Sequence, residues 1–172
     1  MIRRTFARLV RSAFVVGVVG FSAMAYAAIP LADQTFVTTA ARAGMAEVEL
    51  GSLAAQDGNT AAVKRFGTQM VKDHTKANAE LTAQAKAIGA TLPTVPDPRQ
   101  QDTIEKLKSL HGAAFDQAYT EAMVKDHEDA VALFDKEASS SGNDALKVFA
   151  QKALPTLKGH LQMARELEKN AR

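Results

Sequence analysis

The sequence predicts an all-α fold: a four-helix bundle with a long connection between its second and third helices. Two observations carry this. Apolar residues recur at helical spacing along nearly all of the chain after the leader, and no segment alternates like a strand. Breakers then divide the chain: Asp57-Gly58-Asn59, the stretch from Gly89 to Pro98, and Ser139–Asn143. Four long amphipathic segments result, and each must bury its stripe against the others.

The first helix is expected from about Asp33 to Ala55, with Asp33 or Thr35 as N-cap. Gly44 and Gly51 lie seven apart on one of its faces. Glycine lowers helix propensity, so close approach of a neighbouring helix is the compensation this spacing predicts. Asn59 can cap the second helix, whose stripe is Val63, Phe66, Met70, His74, Ala77, Leu81, Ala85 and Ile88. Gly89 closes that helix as a C-terminal glycine. Thr91 to Pro98 holds three prolines and is expected to be non-helical. A short helix is expected around Thr103–Leu110.

The third long helix, about Gly112 to Ala138, turns Phe115, Tyr119, Met123, His127, Ala130 and Phe134 inward. The fourth starts near Asp144 with Leu146, Phe149, Ala153, Leu157, His160, Ala164 and Leu167, and Pro155 should kink or interrupt it. The residues from Gly89 to His111 suffice to cross the bundle's length, which favours a ferritin-like crossover. A continuous helix from Thr103 to Ala138 in an up-down-up-down bundle is the rival.

Residues 1–27 read as a cleavable signal peptide. Four arginines and no acid precede the apolar run Ala13–Met24, and Ala25-Tyr26-Ala27-Ala28 is a small-x-small site. The run is shorter than the roughly 20 residues a membrane span requires. Arg3-Arg4-Thr5-Phe6 resembles a twin-arginine signal, but Ile2 and Ala7 depart from its usual neighbours, which favours the ordinary route. The expected mature domain, residues 28–172, is therefore periplasmic. It keeps 17 basic and 19 acidic residues, so the chain's net charge of +2 becomes −2. The basic balance belongs to the leader, and lysine and arginine are otherwise scattered among acids, so no nucleic-acid partner is expected. The absence of cysteine excludes disulfides, thiolate metal sites and thiol catalysis.

Met70-Val71-Lys72-Asp73-His74 recurs as Met123-Val124-Lys125-Asp126-His127. With Phe115-Asp116, Tyr119, Phe149-Ala150, Leu154-Pro155 and His160-Leu161, the chain resembles the bacterial exported family known as domain of unknown function 4142. The resemblance runs from about Phe36 to Leu167. It implies a ferritin-like helical bundle and an exported location, and no activity. Di-iron bundles carry Glu-x-x-His on two helices. Here the residues three before the long-helix histidines are Val71, Val124 and Leu157, so the motif is missing.

His74, His127 and His160 lie on the apolar stripes of three helices, where histidine ordinarily serves as a hydrogen-bonded core residue. His111 falls in a connector and should be solvated. Asp73 and Asp126, one position round the helix, are expected on the surface or bonded between helices. Met70 with His74 and Met123 with His127 share helix faces, as do His160 and Met163. Thioether and imidazole together suit Cu(I), so the candidate metal ligands are His74, His127, Met70 and Met123. Counting along the helices puts His74 and His127 level in the crossover topology. The same count puts His160 roughly 10 Å from the level of His127, with Glu47 nearer the His160 level.

No catalytic residue or cofactor-binding loop is signalled: there is no phosphate loop, nucleophile elbow or nucleophile–base spacing. The expectation is a non-enzymatic exported binding or envelope-stress protein, with a periplasmic copper-type metal binder as the alternative. Cofactor, partner and oligomeric state stay open.

Overall fold

The computed structural model describes residues 29–171; the expected signal peptide lies outside them. Five helices and no strand occur among the described residues: α1 (Leu31–Asp57), α2 (Ala61–Ile88), α3 (Pro98–Lys108), α4 (Gly112–Ser140) and α5 (Asp144–Ala171). No helix among them is long and apolar enough to cross a membrane.

The ends of these helices are set by local chemistry. α1 begins after Pro30 with no side-chain cap, two residues before the expected Asp33. Thr60 rather than Asn59 caps α2, its hydroxyl accepting from Val63 N at 3.3 Å. Gly89 adopts φ 74°, and Ala90 N bonds Ala85 O at 2.8 Å, which satisfies carbonyls at the end of α2. α3 starts earlier than expected because Asp97 caps Gln100 N and Pro98 occupies the first turn, where a missing N–H costs nothing. α5 runs unbroken through Pro155, contrary to the expected interruption. Packing of Leu154 and Leu157 on either side holds the segment in the core.

Extended His111 and Gly112, at φ 60°, separate α3 from α4 and exclude the continuous-helix rival. Direction is fixed by Asp116, near the start of α4, whose carboxylate accepts from Asn59 N at 2.7 Å and Thr60 N at 2.9 Å. The beginnings of α2 and α4 therefore share one end of the molecule, and the two helices run parallel. At the other end Gln34 exchanges hydrogen bonds with Thr91. α1 packs on α2 and α4 on α5 as hairpins, with α1 against α4 and α2 against α5, so α2 and α4 are diagonal. The α1–α2 contact is close where Gly51 meets Gly67. A Cβ on Gly67 would lie 2.6 Å from Gly51 O and from Ala55 N.

Two apolar clusters fill the interior. One holds Phe36, Leu81, Phe134, Leu146 and Phe149; the other holds Leu50, Phe66, Met70, Phe115, Tyr119 and Met123. Along every long helix a polar residue lies between them: Glu47, His74, His127 and His160. The core is divided by a histidine layer.

Candidate metal centre

Helical spacing places each imidazole inward on its own helix, and the crossover brings the three helices to one level. The ring centroids of His74, His127 and His160 are 5.4, 5.5 and 5.6 Å apart. One nitrogen from each ring lies within 4.8 Å of the others. Three imidazoles on one tetrahedral ion, each bonded at about 2.0–2.1 Å, would have centroids about 5.2 Å apart. The observed triangle is nearly that size.

Their hydrogen bonds decide which nitrogens are free. His127 Nδ1–H donates to Met123 O at 2.9 Å, and His160 Nε2–H donates to the Asp73 carboxylate at 3.0 Å. Each bond occupies one ring nitrogen and leaves the other without a partner. His127 Nε2, His160 Nδ1 and His74 Nε2 are all buried without a partner. Buried polar atoms are ordinarily bonded, so these three, with Glu47 Oε2 a fourth in the same layer, mark a place built for a ligand.

The charge state suits a cation. Burial holds the His74 imidazole down at about 3, with neighbouring His127 and His160 adding to the effect. Burial likewise holds His127 at about 4, helped by His160 and opposed by the Met123 carbonyl bond. Both are neutral at neutral pH, the form that binds metals. Burial, aided by Asp126, pushes the Glu47 carboxyl well above its usual range. Glu47 Oε1 lies 3.9 Å from His127 Nδ1, the nitrogen already donating to Met123. Glu47 thus stands behind His127, on the side away from its free nitrogen.

Not all the residues singled out in the sequence meet here. His74 and His127 converge, and His160 joins them. The expected 10 Å offset was an overcount: Ser141–Asn143 were credited with axial rise, whereas they only reverse the chain. Measured from the helix ends, His127 and His160 differ by three residues, about 4.5 Å along the axis. Met70 and Met123 are fully buried in the apolar cluster beyond the layer and do not line the cavity at the histidines. His111 is exposed, as a connector residue should be. Asp73 has a role that one-position spacing left open, and only its partner on α5 reveals it. Its repeat counterpart Asp126 has a carboxyl raised by burial and borders the same cavity.

The chain belongs to the DUF4142 family, "Domain of unknown function", whose model matches residues 21–167. No curated protein matches it. Its fold is similar to the crystal structure of a DUF305 fragment from Deinococcus radiodurans, with a TM-score of 0.72 at 11% identity. That match covers 82% of this chain and 97% of the other, and the likeness is one of fold.

Proposed function

For this member of DUF4142, we propose a periplasmic, ferritin-like four-helix bundle that binds one divalent transition-metal ion through His74, His127 and His160. The observation that carries the reading is the set of three buried, unpartnered ring nitrogens in one layer. An imidazole-only donor set suits zinc and copper(II) better than magnesium or calcium. Asp73 and the Met123 carbonyl supply the outer hydrogen bonds that metal-bound histidines ordinarily have. The methionines support the layer by packing rather than by ligation. The protein acts by binding, since the sequence offers no nucleophile–base pair or di-iron motif.

The test is metal analysis of protein taken from the native periplasm, followed by zinc and copper(II) titration of the chelator-treated protein. One ion per chain is expected, and His74→Ala with His127→Ala should abolish it. Retention of stoichiometric metal by the double variant would place the ion elsewhere.

A further inference from the structure

On one side of the histidine layer the bundle is not filled. The room beside Gly44 on α1 is taken by Asn78, but the residues about one turn beyond the layer are small on three long helices, Ala43 on α1, Ala77 on α2 and Ala130 on α4, as is Ala153 two turns on along α5. They leave a cavity of about 290 Å³ between the imidazoles and the rings of Phe134 and Phe149. Its mouth lies between α2 and α5, where Lys76, Glu80, Lys152 and Thr156 are both lining and exposed.

Size and lining restrict what fits. A water's share of liquid volume is about 30 Å³, and apolar walls offer water few partners. Small-molecule sites begin at about 300 Å³ and pair apolar walls with a few placed polar groups. Here Leu81, Leu157 and the two phenylalanines form the walls, and the imidazoles form the polar base. From His127 to Phe134 is seven residues along α4, about 10 Å of axial length. That accommodates a six-membered ring with a short polar head.

The head group follows from coordination. Three protein nitrogens leave a tetrahedral ion one open position. No carboxylate joins the three histidines in the cluster of ligand atoms: Glu47 stands behind His127, Asp73 accepts from His160, and Asp126 borders the cavity without belonging to the cluster. An ion among three imidazoles then keeps its full positive charge, which an anionic oxygen donor offsets. At the mouth Lys76 pairs with Glu80 at 3.9 Å and Lys152 is the remaining lysine an entering anion meets, while Asp73 and Asp126 border the cavity further in.

We propose that this cavity binds a small carboxylic acid with an apolar body, its carboxylate displacing water from the ion and its body lying against Phe134 and Phe149. The inference rests on the three-histidine metal reading and adds the ligand class. Only coordination changes, with no bond broken in the acid.

The experiment uses the mature protein loaded with Co(II), whose visible spectrum reports its coordination, and benzoate as probe. Benzoate should change the spectrum saturably and raise the melting temperature of the Co(II) form but not of the metal-free form. Acetate should bind at least tenfold more weakly, and benzyl alcohol should leave the spectrum unchanged. Ala130→Leu fills the cavity from α4 and Ala153→Leu from α5. Whichever of the two folds should keep Co(II) and lose the benzoate response. Co(II) binding without any benzoate response, acetate binding as tightly as benzoate, or a filled cavity that still responds would each overturn the proposal while leaving the metal centre standing. Failure to bind Co(II), zinc or copper at all would overturn both.

Discussion

Asp73 holds the His160 ring by its Nε2–H, and the Met123 carbonyl holds His127 by its Nδ1–H, so both rings are oriented before any ion arrives. Such outer partners are worth about 10–100-fold in metal affinity. Asp73→Asn keeps the volume and an acceptor but removes the charge. Zinc affinity measured by competition should fall by about that factor with the far-UV spectrum unchanged; an unaltered affinity would assign Asp73 to helix pairing alone. The same burial has a consequence for acid stability of the metal-free protein. His74 and His127 are held below their ordinary 6.5, at about 3 and about 4. Between 6.5 and those values the unfolded chain binds more protons than the folded one, so stability falls as pH falls through that window and levels off beneath it. Glu47, with its raised carboxyl, acts oppositely above 4.5. Urea midpoints at pH 7 and pH 5 should therefore converge in the His74→Gln, His127→Gln variant relative to the parent. An equal drop in both proteins would dissociate the acid sensitivity from these rings.

At the scale of elements, pairing of the hairpins depends on a few contacts between helix ends. Asp116 accepts two backbone N–H groups from the α1–α2 turn and so ties the start of α2 to α4. Hydrogen bonds to a charged group are worth about 1.5–3 kcal/mol each on mutation, less where water can replace them. Asp116→Ala should cost about 1–3 kcal/mol in urea unfolding with an unchanged m-value. A loss below 0.5 kcal/mol, on the order of an ordinary surface substitution, would show that water replaces the carboxylate. A Cβ at Gly67 would press on the backbone of α1. There glycine is needed for the close approach of α1 and α2.

The whole molecule has an approximate internal twofold. α2 and α4 carry the repeated Met-Val-Lys-Asp-His, run parallel and lie diagonal. Glu47 stands on α1 opposite His127 and Asp126 as His160 stands on α5 opposite His74 and Asp73. α3 has no counterpart under the twofold, and within the histidine layer the symmetry is broken because α1 carries a carboxyl where α5 carries an imidazole. That break gives the layer three imidazoles and one carboxyl rather than four imidazoles. The export expected from the leader concerns the molecule as a whole, and it has its own check. Intact-mass spectrometry of protein recovered from the periplasm should give a chain beginning at Ala28. A mass that includes residues 1–27 would overturn the leader assignment.

The all-α class, approximate helix limits and the inward stripes were legible in the sequence, because periodicity and breakers act locally. Gly89 and the Gly112 break belong to this group, since a backbone that needs positive φ selects glycine wherever the helix ends. The level of His74 with His127 followed from counting residues along parallel helices. What counting could not supply was the third histidine, because a reversing loop adds residues without adding height. The bond from Asp73 to His160 spans 87 residues, and no spacing rule reaches that far. That Met70 and Met123 do not line the cavity also came from tertiary structure. Residues four apart share a helix face, yet one turn is about 5.4 Å of axial distance. That is enough to place Met70 and Met123 in the apolar cluster and the histidines in the layer beside it. Sequence determined which faces turn inward; the relative axial positions of the four helices decided which inward residues meet.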